Sequence, residues 1–70
     1  MARRRNGSRS SSEIIKMLEQ DGWQHMKTSG SHYHFRHPVK SGKVTVAHPV
    51  KDVPIGTLKS IERQSGVKLR

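Results

Sequence analysis

The most informative stretch of the chain is Gly30–Phe35, which reads GSHYHF. Glycine followed by serine is typical of a tight turn, and the next four residues alternate an imidazole with an aromatic ring. Successive side chains of a strand point to opposite faces. The alternation therefore predicts a strand with Tyr33 and Phe35 in the core and His32 and His34 on the open face, unless a bulge at the turn shifts the pattern.

Two further segments have the character of short strands. Trp23–Thr28 precedes the glycine turn, and Lys43–Ala47 follows a Ser-Gly pair at positions 41–42. Between them, the strand His32–His37 ends at Pro38, which cannot donate a ladder hydrogen bond. The short spacers indicate an antiparallel meander.

A helix is predicted on each side of these strands. Ser10 and Glu13 have the spacing of a capping box, and an apolar stripe through Ile14 and Leu18 predicts a first helix of about Ser12–Asp21. The second helix opens near Pro54, continues through Leu58 and Ile61, and ends at Gly66. The sequence thus predicts an α+β fold, a two-layer sandwich with the order helix, three antiparallel strands, helix.

Composition limits the class of protein and its partners. The chain has 14 Lys and Arg against 5 Asp and Glu, a net charge of +9, no cysteine, and 30% hydrophobic residues. Such a charge favours a polyanionic partner, above all nucleic acid. No stretch approaches the roughly 20 apolar residues of a membrane span, so we expect a cytoplasmic protein. We interpret residues 1–10 as a disordered basic arm or an expression remnant and residues 11–70 as one domain.

Several motifs resemble one known family. Asp21-Gly22-Trp23, Gly30-Ser31-His32 and the long run His48–Ile61 are similar in order and spacing to the HicA family of toxins. The resemblance implies a double-stranded-RNA-binding-like fold and a ribonuclease that cleaves messenger RNA and arrests translation. It also implies inhibition by an antitoxin of the HicB family. The family's catalytic histidine corresponds to His32; the second histidine that many members have directly after it is replaced here by Tyr33.

RNA cleavage is chemistry that a histidine can support without a metal or another cofactor. The 2′-hydroxyl is the nucleophile, so the enzyme has to transfer protons and stabilise charge on phosphorus. We expect His32 to transfer a proton and regard His34 as a possible helper. The residues predicted to bind RNA are small turn residues and cations: Gly30, Ser31, Lys27, Arg36, Lys43, Lys51 and Lys59.

Other functions remain open at this point. His32, His34, His37 and His48 offer imidazoles for zinc, but His37 is expected on the opposite face and no carboxylate is near, so we predict no metal. A non-catalytic RNA-binding module would share the same charge and topology, and a pure protein-interaction domain is a third possibility. If the chain is a toxin, we expect the antitoxin to cover the His32 face with acidic residues.

Overall fold

Two helices and one three-stranded sheet make up the part of the chain that the structure, a computed structural model, describes, residues 9–70. The elements are α1 Ser11–Gln20, β1 Gln24–Ser29, β2 His32–Arg36, β3 Lys43–Ala47 and α2 Ile55–Ser65. The sheet is antiparallel with the order β1-β2-β3, so β2 is its central strand. The predicted α+β class and element order are confirmed. Neither described helix is long and apolar enough to cross a membrane.

The start of α1 has the predicted capping box. The Ser10 hydroxyl accepts a hydrogen bond from the Glu13 amide, and the Glu13 carboxylate accepts one from the Ser10 amide at 3.0 Å. One residue earlier, the Arg9 carbonyl accepts a hydrogen bond of 2.7 Å from the Val53 amide. Arg9 and Ser10, which the sequence analysis assigned to the arm, are thus hydrogen-bonded to the folded residues. The rest of the predicted arm, residues 1–8, lies outside the described residues.

Both helices pack on the same side of the sheet. Ile14 and Leu18 of α1 and Leu58 and Ile61 of α2 are buried in one cluster with the inward side chains of β2 and β3. The remaining buried members of this core are Trp23, Phe35, Val44, Val46, Val53 and Leu69. We call the opposite side of the sheet the open face, because no element within residues 9–70 packs against it.

The turn between β1 and β2 is regular, and the irregularity lies elsewhere. Ser29 pairs directly with His32, and only Gly30 of the two turn residues has a positive φ, +59°, as in a type II′ hairpin turn. A bulge does occur in β1, at Met26, between the pairs His25–Phe35 and Lys27–His34. The predicted alternation of β2 therefore holds, while that of β1 is interrupted.

Candidate nucleic-acid interface

Cross-strand pairing arranges the open face in three rows, because residues directly opposite each other in a sheet share a face. The first row is Ser29, His32 and Ala47; the second is Lys27, His34 and Thr45; the third is Gln24, Arg36 and Lys43. Each row has a β2 residue at its centre, and neighbouring rows are two residues, about 7 Å, apart along the strand.

His32, in the first row, is the most accessible of the predicted catalytic groups. It is the first residue of β2, and its side chain is exposed, as the alternation predicted. Its two cross-strand neighbours, Ser29 and Ala47, are small. An imidazole between two short side chains on the central strand can be approached from above by a large ligand.

The backbone just before His32 is tied to the helical layer. The Ser31 carbonyl accepts a hydrogen bond of 2.8 Å from the His48 amide. The ring of His48 lies with its Nδ1 2.7 Å from the hydroxyl oxygen of Ser11, the first residue of α1, and contacts the ring of Tyr33 edge-on. The turn that carries His32 is thereby fixed from behind.

His34, in the second row, lies in a different environment. It is half-buried, its Nδ1 is 3.2 Å from the Thr45 hydroxyl oxygen, and Lys27 is its other cross-strand neighbour. Partial loss of hydration and, to a smaller extent, the positive charges of Lys43 and Lys27 lower the pKa of His34 below its ordinary value. Both effects favour the uncharged form of the His34 ring, which is the form that can accept a proton.

The second and third rows bring three of the predicted RNA-binding cations together. Lys27, Arg36 and Lys43 line a shallow pocket with His34 and the exposed side chain of Met26. The three cationic side chains are exposed. Gly30 and Ser31 lie directly beside the first row, in the turn.

Lys51 and Lys59 are not part of this cluster. Lys51 lies in the exposed loop between β3 and α2. Lys59 lies on the outer surface of α2, where Glu62, Arg63 and Arg70 line the same shallow depression. These two predicted RNA-binding residues therefore belong to other parts of the surface.

The acidic residues are segregated from the open face. Between Gly22 and Lys51 the sequence contains no Asp or Glu. The five carboxylates of the chain lie in the helices or in segments next to them, at Glu13, Glu19, Asp21, Asp52 and Glu62. This feature was available from the sequence as a stretch without acidic residues, and it marks the sheet surface as suitable for a polyanion.

The histidines considered as metal ligands do not come together. His37 is engaged with the Asp21 carbonyl oxygen, 2.8 Å from its Nε2, and lies edge-on against Trp23, while His48 is engaged with Ser11. Within residues 9–70, no three His, Asp or Glu side chains are placed to hold a metal ion.

Comparison with models of protein families identifies a match. The family model that describes the HicA toxin of bacterial toxin–antitoxin systems matches residues 11–67. This range contains both helices, the whole sheet and all three rows of the open face. No curated protein matches the sequence.

Proposed function

We propose that this chain, which belongs to the HicA family of toxins from bacterial toxin–antitoxin systems, acts by cleaving messenger RNA, with His32 as its catalytic residue. The observation that carries the proposal is the position of His32. Its exposed imidazole lies on a sheet face that has cations and no carboxylate, between two small neighbours. A phosphodiester can reach the ring, and the surrounding charge favours its approach.

The reaction that fits these residues uses the RNA's own nucleophile. The 2′-oxygen forms a bond to phosphorus while the bond from phosphorus to the 5′-oxygen breaks. The proton of the 2′-hydroxyl passes to a base, and the leaving 5′-oxygen gains a proton from an acid. The products are a 2′,3′-cyclic phosphate and a 5′-hydroxyl, and no oxidant or other reactant is consumed.

His32 transfers one of these two protons, and His34 is the nearest group on the same face for the other. The two residues lie on the same strand about 7 Å apart, a distance that one phosphodiester and its leaving group can span. The lowered pKa of His34 favours its uncharged ring, the form that a base needs before the reaction. In this arrangement His34 is the base and His32 the acid.

Substitution of His32 tests this proposal. Because the side chain is exposed and its neighbours are small, His32→Ala removes no packed group and should leave the fold intact. We expect cleavage of a labelled RNA to fall by about 10²–10⁴-fold, and growth arrest on induction to be lost. The matched control is His25→Ala, an exposed histidine whose ring contacts Tyr33 on the helical side of the sheet.

Two results would decide against the proposal. Folded His32→Ala protein that cleaves RNA as fast as the wild type excludes His32 as the catalytic residue. Wild-type protein that binds RNA but yields no cyclic phosphate supports a non-catalytic RNA-binding module instead.

The same face is the surface that an antitoxin has to occupy. We propose that a HicB-type partner covers His32 and contacts the cations of the second and third rows with acidic side chains. Diethylpyrocarbonate, which modifies accessible imidazoles, provides the test. We expect the partner to protect His32 and to leave His25 reactive; equal modification of His32 with and without the partner contradicts steric masking.

A further inference from the structure

The bulge at Met26 changes which face the second half of β1 presents. Before it, His25 pairs with Phe35, whose side chain is in the core. After it, Lys27 pairs with His34, on the open face. With regular pairing from His25 onward, Lys27 would lie opposite Tyr33 and point to the helical side. The bulge therefore turns Lys27 towards the open face, a known use of bulges near functional sites.

The result is a graded distribution of charge along β2. The first row contains His32 and no lysine or arginine, the second contains Lys27, and the third contains both Arg36 and Lys43. All the cations of the three rows thus lie on one side of His32. On its other side the chain reverses at Gly30 and Ser31.

The spacing of the rows is suited to a polynucleotide backbone. Each row is about 7 Å from the next, which is comparable to the distance between successive phosphates of an extended strand. With a scissile linkage at His32, the next phosphate lies over the second row and the one after it over the third row. An extended strand is also what the reaction requires, since the 2′-oxygen has to align with the bond that breaks.

We propose that the open face binds single-stranded RNA in a fixed register, holding the two phosphates next to the cleaved linkage on one side of it and none on the other side. Lys27 contacts the first of these phosphates, and Arg36 and Lys43 contact the second. The inference depends on the proposed function, because His32 defines the origin of the register.

Replacement of single phosphates tests the register. An RNA with one cleavage site is prepared as a series in which each phosphate in turn becomes an uncharged methylphosphonate. We expect kcat/KM to fall about tenfold at the first and second positions on one side, and less than about twofold at the corresponding positions on the other side. Equal losses on both sides contradict the proposal.

Protein variants then assign each contact. Lys27→Gln should abolish the sensitivity to replacement of the first phosphate and preserve that of the second, and Lys43→Gln should reduce only the second. When a protein substitution and a phosphate replacement together cost less than the sum of their separate effects, the side chain contacts that phosphate directly. The control is Lys16→Gln, an exposed lysine of α1 in the helical layer, which should leave every sensitivity unchanged. Fully additive losses for Lys27 and Lys43 contradict the assignment.

A binding series separates this inference from the proposed function. His32→Ala protein is titrated with the same oligonucleotides and the dissociation constants are compared. If replacement of either of two adjacent phosphates weakens binding, the register is supported even if the wild type proves not to cleave RNA. Cleavage by the wild type with no such pair in either series overturns the register and leaves the nuclease proposal standing.

Discussion

Replacement of Ser11 by alanine should destabilise the domain far more than replacement of an exposed serine would. Ser11 is 1% exposed. Its oxygen accepts a hydrogen bond of 2.7 Å from the Val50 amide and lies 2.7 Å from Nδ1 of His48. Because the Val50 amide uses the oxygen as an acceptor, the hydroxyl hydrogen is available to the ring nitrogen. Ser11→Ala removes both hydrogen bonds at once.

The size of the effect follows from these contacts. The Val50 amide, left without a partner away from water, costs about 1–3 kcal/mol, whereas the half-buried His48 ring keeps access to water. The better helix propensity of alanine returns about 0.5 kcal/mol. We expect a net loss of about 1.5 kcal/mol in the free energy of unfolding. At about 4–8 °C per kcal/mol for a domain of this size, Tm should fall by about 6–12 °C.

Urea denaturation followed by circular dichroism measures this loss. Ser12→Ala is the control, because Ser12 is the next residue of the same helix and is exposed; its stability should change by less than about 0.5 kcal/mol. The imidazole nitrogen shifts of His48 give a second measurement, since Nδ1 should be the acceptor and Nε2 should carry the hydrogen. If Ser11→Ala is as stable as Ser12→Ala, the Ser11 hydroxyl contributes no stabilising link between α1 and the loop that contains His48 and Val50.

Three further outcomes follow from other parts of the domain. Gly22→Ala should lower the free energy of unfolding more than Gly30→Ala, as measured by urea titration of both variants. Both glycines have a positive φ, but a Cβ would lie 2.8 Å from the His37 ring at Gly22 and would meet nothing within 4 Å at Gly30. Equal losses would mean that the ring moves aside. The hydrogen bond from the Leu69 amide and, to a smaller extent, the charge of Arg70 lower the pKa of the Glu62 carboxyl. A carboxyl whose pKa is lower in the folded than in the unfolded state stabilises the domain at pH values above its unfolded pKa, near 4, and the effect is lost as the pH falls through the folded pKa. Glu62→Gln should therefore reduce the loss of unfolding free energy between neutral and acidic pH. An unchanged pH dependence would exclude this contribution. Leu69→Ala should cost about 2–5 kcal/mol by denaturant titration, because Leu69 is fully buried, and a loss below 1 kcal/mol would show that the C-terminal segment does not complete the core.

Local signals explain why much of the fold is predictable from the sequence. The capping box at Ser10 and Glu13 and the glycine at Gly66 each act within a few residues, so their structural meaning depends little on the rest of the chain. The alternation of Tyr33 and Phe35 with histidines fixes the faces of β2, because a shift by one residue would expose two aromatic rings.

The bulge in β1 has no comparable signal. All six residues of that strand are exposed, so no apolar alternation fixes its register, and pairing with β2 alone determines which face Lys27 occupies. The link from Ser11 to His48 is also invisible in the sequence, because it joins residues 37 positions apart. The roles assigned to His32, His34 and the basic residues remain predictions, since position and charge show access and not catalysis.

The absence of carboxylates from the open face also affects how the protein meets its ligand. The three rows of the open face have cations and no acidic residue, whereas the helices and the segments next to them have charges of both signs, so the positive charge of the open face is not offset by carboxylates on the same face. A polyanion attracts this face at separations up to about 10 Å at 0.1 M salt, and the attraction exerts a torque on a protein that approaches in another orientation. The protein should therefore rotate before contact, so that most encounters begin with the correct surface, and a rise in ionic strength should slow association more than it speeds release.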